Sequence, residues 1–136
     1  MAGAPLKVPA GTNPPTDLAA THTGLTVTEK EIQGDILSEF GGKPYVRLWR
    51  SNCGVGVTPD GERVVSFGLP GQADLSGILH PDGRRLEIEV KSEHGTQSKR
   101  QQAFQRMIDR FGGVYILARS VDDVRAVLCE QGYPRC

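Results

Sequence analysis

Apolar and charged residues alternate strictly along residues 86–91, LEIEVK. A period of two is the period of a β-strand, so the leucine, isoleucine and valine share one face, and the two glutamates and the lysine share the other. The charged face has two interpretations. It is either a solvated surface or part of a site that needs carboxylates beside a lysine.

Helical spacing of apolar residues predicts three helices. The segments are VTEKEIQGDILSEFGG (27–42), SKRQQAFQRMIDRFGG (98–113) and DDVRAVLCEQG (122–132). Two helix starts carry the sequence of a capping box, Thr28 with Glu31 and Ser120 with Asp123. Glycine follows the apolar stripe of each segment, as is usual where helices end.

Five segments are predicted to be strands. They are YVRLWRS (45–51), ERVVSFG (62–68), ADLSGILH (73–80), RRLEIEVKS (84–92) and VYILARS (114–120). A loop with several glycines around residues 52–56 follows the first. Proline and glycine within residues 80–83 predict a hairpin between the third and fourth. This order of elements predicts an α/β domain with one mixed central β-sheet flanked by helices.

Composition narrows the class of protein. The chain has 136 residues, with 16 basic and 16 acidic side chains, so its net charge indicates neither a nucleic-acid nor a membrane partner, although a local basic stripe can still bind DNA. Residues 1–24 are rich in Gly, Pro, Thr and Ala, which predicts a flexible N-terminal arm before a domain at 25–136. The arm lacks the apolar core of a signal peptide.

The chain has three cysteines, widely spaced and without a CxxC pair. This pattern predicts free thiols in a reducing compartment, and we therefore expect a cytoplasmic protein. Tyr45 and Trp49 alternate with Val46 and Leu48, which favours packing over base stacking for both aromatic residues.

The candidate chemistry lies on the predicted hairpin. Asp74 opens one strand, and the hairpin brings it alongside Glu89 on the next. Two carboxylates on adjacent strands can share a hard divalent cation such as magnesium. Lys91 projects from the same face as Glu89, where an ammonium can orient water and offset charge on a phosphate. The alternative is an ordinary exposed ion pair between Glu89 and Lys91.

Two polar residues on predicted helices add to this set. Glu29 shares a face with the apolar stripe of the first helix, and a carboxylate there needs a partner that a metal cleft would supply. Gln101 lies on the apolar stripe of the second helix. Its amide can belong to the site or can simply bond a neighbouring backbone group.

The order of these residues resembles a known family. The agreement is carried by five blocks between residues 28 and 128: Glu29 with Ile32-Gln33, Arg50-x-Asn52-x-Gly54, Phe67-Gly68-x-Pro70-Gly71-x-Ala73-Asp74, Glu89-Val90-Lys91 and Ser98-x-x-Gln101. Together they resemble the VRR-NUC family of virus-type replication and repair nucleases, within the PD-(D/E)xK superfamily. Such a resemblance implies a restriction-endonuclease-like fold.

It also implies a role for each site residue. Asp74 and Glu89 match the metal-binding pair, for which Mg²⁺ or Mn²⁺ is the expected cofactor. Lys91 matches the catalytic lysine, Glu29 the acid of the first helix, and Gln101 the glutamine that follows the Glu-x-Lys strand. The acidic segment after Lys91 departs from the basic or proline-containing versions of the family, which leaves the path of DNA past this loop open.

From the resemblance we expect a metal-dependent DNA endonuclease. Its substrate would be branched or Holliday-junction DNA in phage or bacterial replication, recombination or repair, inside a bacterial or phage-infected cell. Lys99 and Arg100 begin a basic helix that can meet phosphates. Symmetric incision needs two sites, so a homodimer is expected. The alternatives are a non-catalytic DNA-binding or assembly protein on the same fold, and a nuclease that acts on RNA.

Overall fold

The computed structural model describes residues 26–134, and the predicted arm at 1–24 lies outside them. This part of the chain forms three helices and six strands. They are α1 (Glu29–Phe40), β1 (Val46–Arg50), β2 (Gly54–Val57), β3 (Val64–Phe67), β4 (Leu75–Leu79), β5 (Arg85–Val90), α2 (Lys99–Arg110), β6 (Val114–Ala118) and α3 (Val121–Glu130).

Four strands form a central sheet in the order β1-β4-β5-β6. The β1–β4 and β4–β5 pairs are antiparallel, whereas β5 and β6 run parallel. The predicted hairpin is therefore confirmed as β4–β5, and its register places Leu75 opposite Ile88. A mixed sheet flanked by helices confirms the predicted α/β class.

The two faces of the sheet have different covers. Helices α1 and α3 share one apolar core with one face. Its fully buried side chains include Ile36, Phe40, Leu75, Leu79, Leu86, Ile88, Ile116, Val124 and Leu128. Helix α2 lies on the opposite face, where Phe104 and Ile108 pack with Ala73 and Tyr115. Because β5 alternates, its apolar side chains enter the first core, and its glutamates turn towards α2.

The region between β1 and β4 differs from the prediction. The loop expected around residues 52–56 contains β2, and β3 pairs with β2 in a separate two-stranded sheet instead of joining the central one. Gly54 and Gly56 lie under the ring of Phe67, whose carbon atoms would be 3.5 and 3.6 Å from Cβ atoms added at these two positions. The valines of this hairpin are exposed. With neither face buried, the hairpin has no strong period-two signal.

Side-chain caps begin the helices. The capping box predicted for Thr28 and Glu31 is confirmed. Ser120 caps α3 as predicted, but the carboxylate of Asp123 accepts from the backbone N–H of Arg119 instead of closing the box. A third cap, which the apolar stripe concealed, is a complete box between Ser98 and Gln101 at the start of α2.

The cysteines differ from the prediction of three free thiols. Cys53 is free and exposed, but Cys129 is disulfide-bonded. Sequence spacing cannot show which thiols the fold brings together, so the argument for a reducing compartment loses this support. Within residues 26–134, none of the helices combines the length and the apolar character that crossing a bilayer requires.

A close backbone approach connects the segment before β4 to α2. Gly71 has a φ of +78°, and a Cβ there would lie 2.3 Å from the carbonyl oxygen of Arg100. Gly83 has a similar φ of +75° with nothing within 4 Å. Of these two glycines, Gly71 is the one that needs both the left-handed conformation and the missing side chain.

We expect Gly71→Ala to lower the free energy of unfolding by about 1–3 kcal/mol more than Gly83→Ala, because only the first adds an overlap with backbone to the strained φ. Urea unfolding of both variants measures the difference. Equal losses would show that the segment before β4 moves away from α2 without penalty.

Candidate active site

The candidate site lies at one end of the central sheet, where four segments meet. Asp74 immediately precedes β4, Glu89 lies near the end of β5, and Lys91 follows that strand. Glu29 and Gln101 come from the first turns of α1 and α2, which lie on opposite faces of the sheet. The fold thus brings one end of each of these elements to the same edge.

Glu89 is the centre of this group and is only 2% exposed. Its Oε2 accepts a hydrogen bond from Gln101 Nε2 at 2.8 Å and lies 3.2 Å from Lys91 Nζ. Its Oε1 is buried without a hydrogen-bond partner. An unpaired buried carboxylate oxygen is unfavourable, so this atom calls for a proton or a cation.

Asp74 is held against the same strand. Its Oδ2 accepts a hydrogen bond from the backbone N–H of Val90 at 2.8 Å, and its carbonyl oxygen accepts from the N–H of Ser51, also at 2.8 Å. This hydrogen bond joins the segment before β4 to β5, at the residue that follows Glu89. It therefore fixes the aspartate carboxylate beside the glutamate.

The two carboxylates interact electrostatically. Burial and then the neighbouring charge of Asp74 raise the pKa of Glu89 from 4.5 to about 7, while Lys91 acts in the opposite direction. Near neutral pH the Glu89 carboxyl group can therefore hold a proton. A divalent cation between the two carboxylates would replace that proton, because it satisfies both negative charges at once.

Gln101 connects the start of α2 to this pair. Its Oε1 accepts from the backbone N–H of Ser98 at 2.8 Å, and its Nε2 donates to Glu89. The amide thus completes the capping box with one end and orients the buried carboxylate with the other. The sequence left two roles open for Gln101, a hydrogen bond to a neighbouring backbone group or a place in the candidate site. In the structure Gln101 bonds both the backbone of Ser98 and the carboxylate of Glu89.

Glu29 contacts the loop after β5. Its Oε2 accepts from the backbone N–H of Ser92 at 3.0 Å. At Gly95, a Cβ would lie 3.4 Å from this oxygen and 3.4 Å from the Cδ of Lys91. Glu29 therefore lies close to the stem of the lysine and holds the segment that carries it.

Two further blocks of the resemblance meet beside α1. Arg50 at the end of β1 donates from Nη1 to the Oε1 of Gln33 at 2.7 Å.

Lys99 and Arg100, the predicted nucleic-acid contacts, are exposed in the first turn of α2, next to Gln101. Arg106 and Arg110 continue the exposed basic surface along the same helix.

Sequence reasoning missed a second buried carboxylate, Glu87. It is completely buried, and it accepts from Ser76 Oγ at 2.9 Å and from Arg85 Nε. Ser76 Oγ lies 2.6 Å from Ser51 Oγ, so the network reaches the residue that bonds Asp74. Burial raises the pKa of Glu87, and the bonds from Arg85 and Ser76 oppose that rise. The alternation of β5, which places Glu87 on the face of Glu89, was the available signal.

Magnesium suits the donor set. Among residues 26–134 no three His, Cys, Asp or Glu side chains form a metal-binding group. Mg²⁺ is usually held by one or two carboxylates together with waters and substrate phosphates. The unpaired Glu89 Oε1 beside Asp74 meets that requirement, so the residues present fit the predicted cofactor.

We compared the chain with family models, with curated proteins and with solved structures. None of the three comparisons gave a match. The assignment of this site therefore depends on its geometry and on the motif resemblance.

In the metal-free protein, the buried carboxylate of Glu89 should make the free energy of unfolding depend on pH. Because the folded pKa of Glu89 lies above 4.5, the stability that its proton gives is complete below pH 4.5 and is lost as the pH rises through about 7. Glu89→Gln resembles the protonated form. In EDTA, we expect its gain in unfolding free energy over the parent to be about 1–3 kcal/mol larger at pH 8 than at pH 4.5.

Glu93, whose side chain is 71% exposed, provides the control. Urea unfolding of Glu93→Gln should follow the parent at both pH values. An identical pH dependence for Glu89→Gln and the parent would contradict the raised pKa.

Proposed function

We propose that this protein is a metal-dependent endodeoxyribonuclease of the PD-(D/E)xK type, related to the VRR-NUC family. The observation that carries the proposal is the buried, unpaired Oε1 of Glu89 beside Asp74. An exposed Glu-x-Lys ion pair has neither a buried carboxylate nor an unpaired oxygen, because solvent satisfies both of its groups.

The restriction-endonuclease-like fold is part of the same proposal. The support is the mixed sheet, with the aspartate before β4, Glu-x-Lys at the end of β5 and helices on both faces. A chain that needed β4 and β5 only for packing would gain nothing from an unpaired carboxylate oxygen between them.

The proposed cofactor is Mg²⁺ or Mn²⁺, which would act as a Lewis acid on the scissile phosphate. Asp74 and Glu89 would hold it. Gln101 orients Glu89 by occupying Oε2, so the free Oε1 keeps one direction. Glu29 fixes the loop that carries the lysine.

Lys91 is placed to serve the attacking water. Its side chain is 14% exposed, with Nζ against Glu89 Oε2, so the ammonium is largely desolvated yet can still reach a substrate. It would orient a water for attack on phosphorus and stabilise the charge that develops on the phosphate oxygens. A bond from the water oxygen to phosphorus would form as the bond to the leaving 3′ oxygen breaks. The water would release a proton to solvent and the 3′ oxygen would take one up, which leaves a 5′-phosphate and a 3′-hydroxyl.

DNA would approach along the start of α2. Lys99 and Arg100 stand exposed beside the glutamine that bonds Glu89. Branched DNA as substrate, recombination or repair as the process, and the bacterial or phage-infected cell as the location follow from the family resemblance and stay predictions.

The homodimer also stays a prediction. One of its candidate contact elements, α3, uses Val124 and Leu128 in the core of its own chain, where both are buried. The other candidate, the arm at 1–24, lies outside the described residues.

We expect Asp74→Asn, Glu89→Ala and Lys91→Ala each to lower DNA cleavage by at least about a hundredfold, because each removes a charge from the reacting centre. Gel assays with junction, flap, nicked and linear DNA, with Mg²⁺ and with EDTA, measure this loss. Circular dichroism checks the fold, and Glu93→Gln is the control.

Parent protein that binds DNA but leaves every substrate uncut with Mg²⁺ or Mn²⁺ would favour the alternative of a non-catalytic DNA-binding protein. Cleavage of RNA alone would favour a ribonuclease. Full activity in Lys91→Ala would refute the proposed site.

The two glutamates of the first turn of α1 give a matched pair. Glu29 bonds the loop after β5, whereas the Glu31 carboxylate bonds Thr28 in the capping box. We expect Glu29→Gln to reduce the cleavage rate at least about tenfold, because the carboxylate that fixes the lysine loop is lost. Glu31→Gln should cleave normally and lose about 1 kcal/mol of stability or less. The opposite pattern would assign the activity to Glu31.

A further inference from the structure

Part of the sheet face that carries the glutamates is not covered by α2. This open face consists of Arg47 and Trp49 from β1, Ile78 from β4 and Arg85 from β5. All four are exposed, with Trp49 at 45% and Ile78 at 47%. Helix α2 instead packs over β6. The alternation that turns Val46 into the opposite core turns Trp49 outwards, so the expectation that this tryptophan is a packing residue is wrong.

The register arranges these side chains in two rows. Arg47 stands opposite Ile78, and Ile78 opposite Arg85, which gives an apolar side chain between two arginines. The next row begins with Trp49 opposite Ser76. The exposed tryptophan thus stands two residues along its strand from Arg47, on the same face.

All exposed charge within these rows is positive. Glu87, the acidic member of the second row, is completely buried and bonded to Ser76 and Arg85. Arg47 uses Nη1 for two backbone carbonyls, and a guanidinium has further donors for phosphate oxygens. An aromatic ring beside arginines is the usual composition of surfaces that bind single-stranded nucleic acid.

The open face lies on the same side of the sheet as the proposed active site, and two completely buried residues, Ser76 and Glu87, lie between Trp49 and Glu89. From Trp49 the second row crosses Ser76 to Glu87, which is two residues from Glu89 on the same face of β5. Trp49 and Glu87 are two strand spacings apart, so roughly 10 Å separates their backbones. A strand whose phosphate lies at Glu89 and Lys91 can therefore place a base, a few nucleotides away, over the ring of Trp49.

We propose that the open face binds single-stranded DNA, with Trp49 stacking on an unpaired base and with Arg47 and Arg85 contacting flanking phosphates. This inference rests on the proposed nuclease function and deepens it. It states that the substrate has an unpaired segment next to the cleaved bond. A second copy of this face would bring arginines against arginines, with no exposed carboxylate of the rows to pair them.

Trp49 is the one tryptophan of the 136-residue chain, so the tryptophan fluorescence of the unmodified protein reports this position alone. A dT oligonucleotide titrated into the protein in EDTA should quench that fluorescence, and a duplex of equal length should quench it much less. With a labelled dT oligonucleotide, Trp49→Ala should weaken binding about tenfold.

Two variants serve as controls. Phe111→Ala removes another exposed aromatic ring, 75% exposed beyond the end of α2, and should bind dT like the parent. Lys91→Ala should still be quenched by dT. In the parent protein, quenching by dT without cleavage of any substrate would reject the nuclease and keep the binding face, whereas cleavage without quenching would do the reverse.

Three results would overturn the inference. One is unchanged fluorescence while the labelled dT oligonucleotide binds. Another is equal quenching by the duplex, which would remove the preference for an unpaired base. The third is a tryptophan signal that changes with protein concentration in the absence of DNA, together with a dimer in sedimentation, since a second copy would then cover the face.

Discussion

The candidate site depends on how one buried carboxylate is balanced. Glu89 has a lysine and an amide on one oxygen and neither on the other. Burial alone would favour its neutral form, and the nearby aspartate strengthens that preference. The lysine offsets only part of this charge. The buried Oε1 of Glu89 therefore favours a proton or a cation at the edge of the sheet.

The ends of several helices and strands meet at this carboxylate, and a local feature of the chain positions each of them. The hairpin places Asp74 beside it, the capping box of α2 supplies Gln101, and the first turn of α1 supplies the residue that holds the lysine loop. Gly71 lets the segment before β4 approach α2 closely. Because helices on opposite faces both contribute, the geometry of the site depends on the packing of the whole domain.

Local patterns in the sequence predicted the elements that have a buried face. Alternation predicted β5, turn residues predicted its hairpin with β4, and the cap signature predicted the start of α1. The strand β3 was predicted, but β2 and its pairing with β3 were missed because this hairpin buries neither face. Burial of Glu87 and exposure of Trp49 depend on where α2 lies across the sheet, and no local pattern contains that position. For Gln101 the Ser-x-x-Gln signature of a capping box was present, although the residue also lies on the apolar stripe of the same helix.

The side chain of Gln101 makes two hydrogen bonds, and together they restrict which residue can occupy this position. Glutamate and glutamine serve equally well at the third position of a capping box, so helix formation alone would let this residue drift between them. Here the far end of the side chain donates to a buried carboxylate. A glutamate would keep the cap but add a third negative charge beside Glu89 and Asp74. The carboxylate pair therefore discriminates an amide from an acid of the same size at this position, although neither the helix nor the core does.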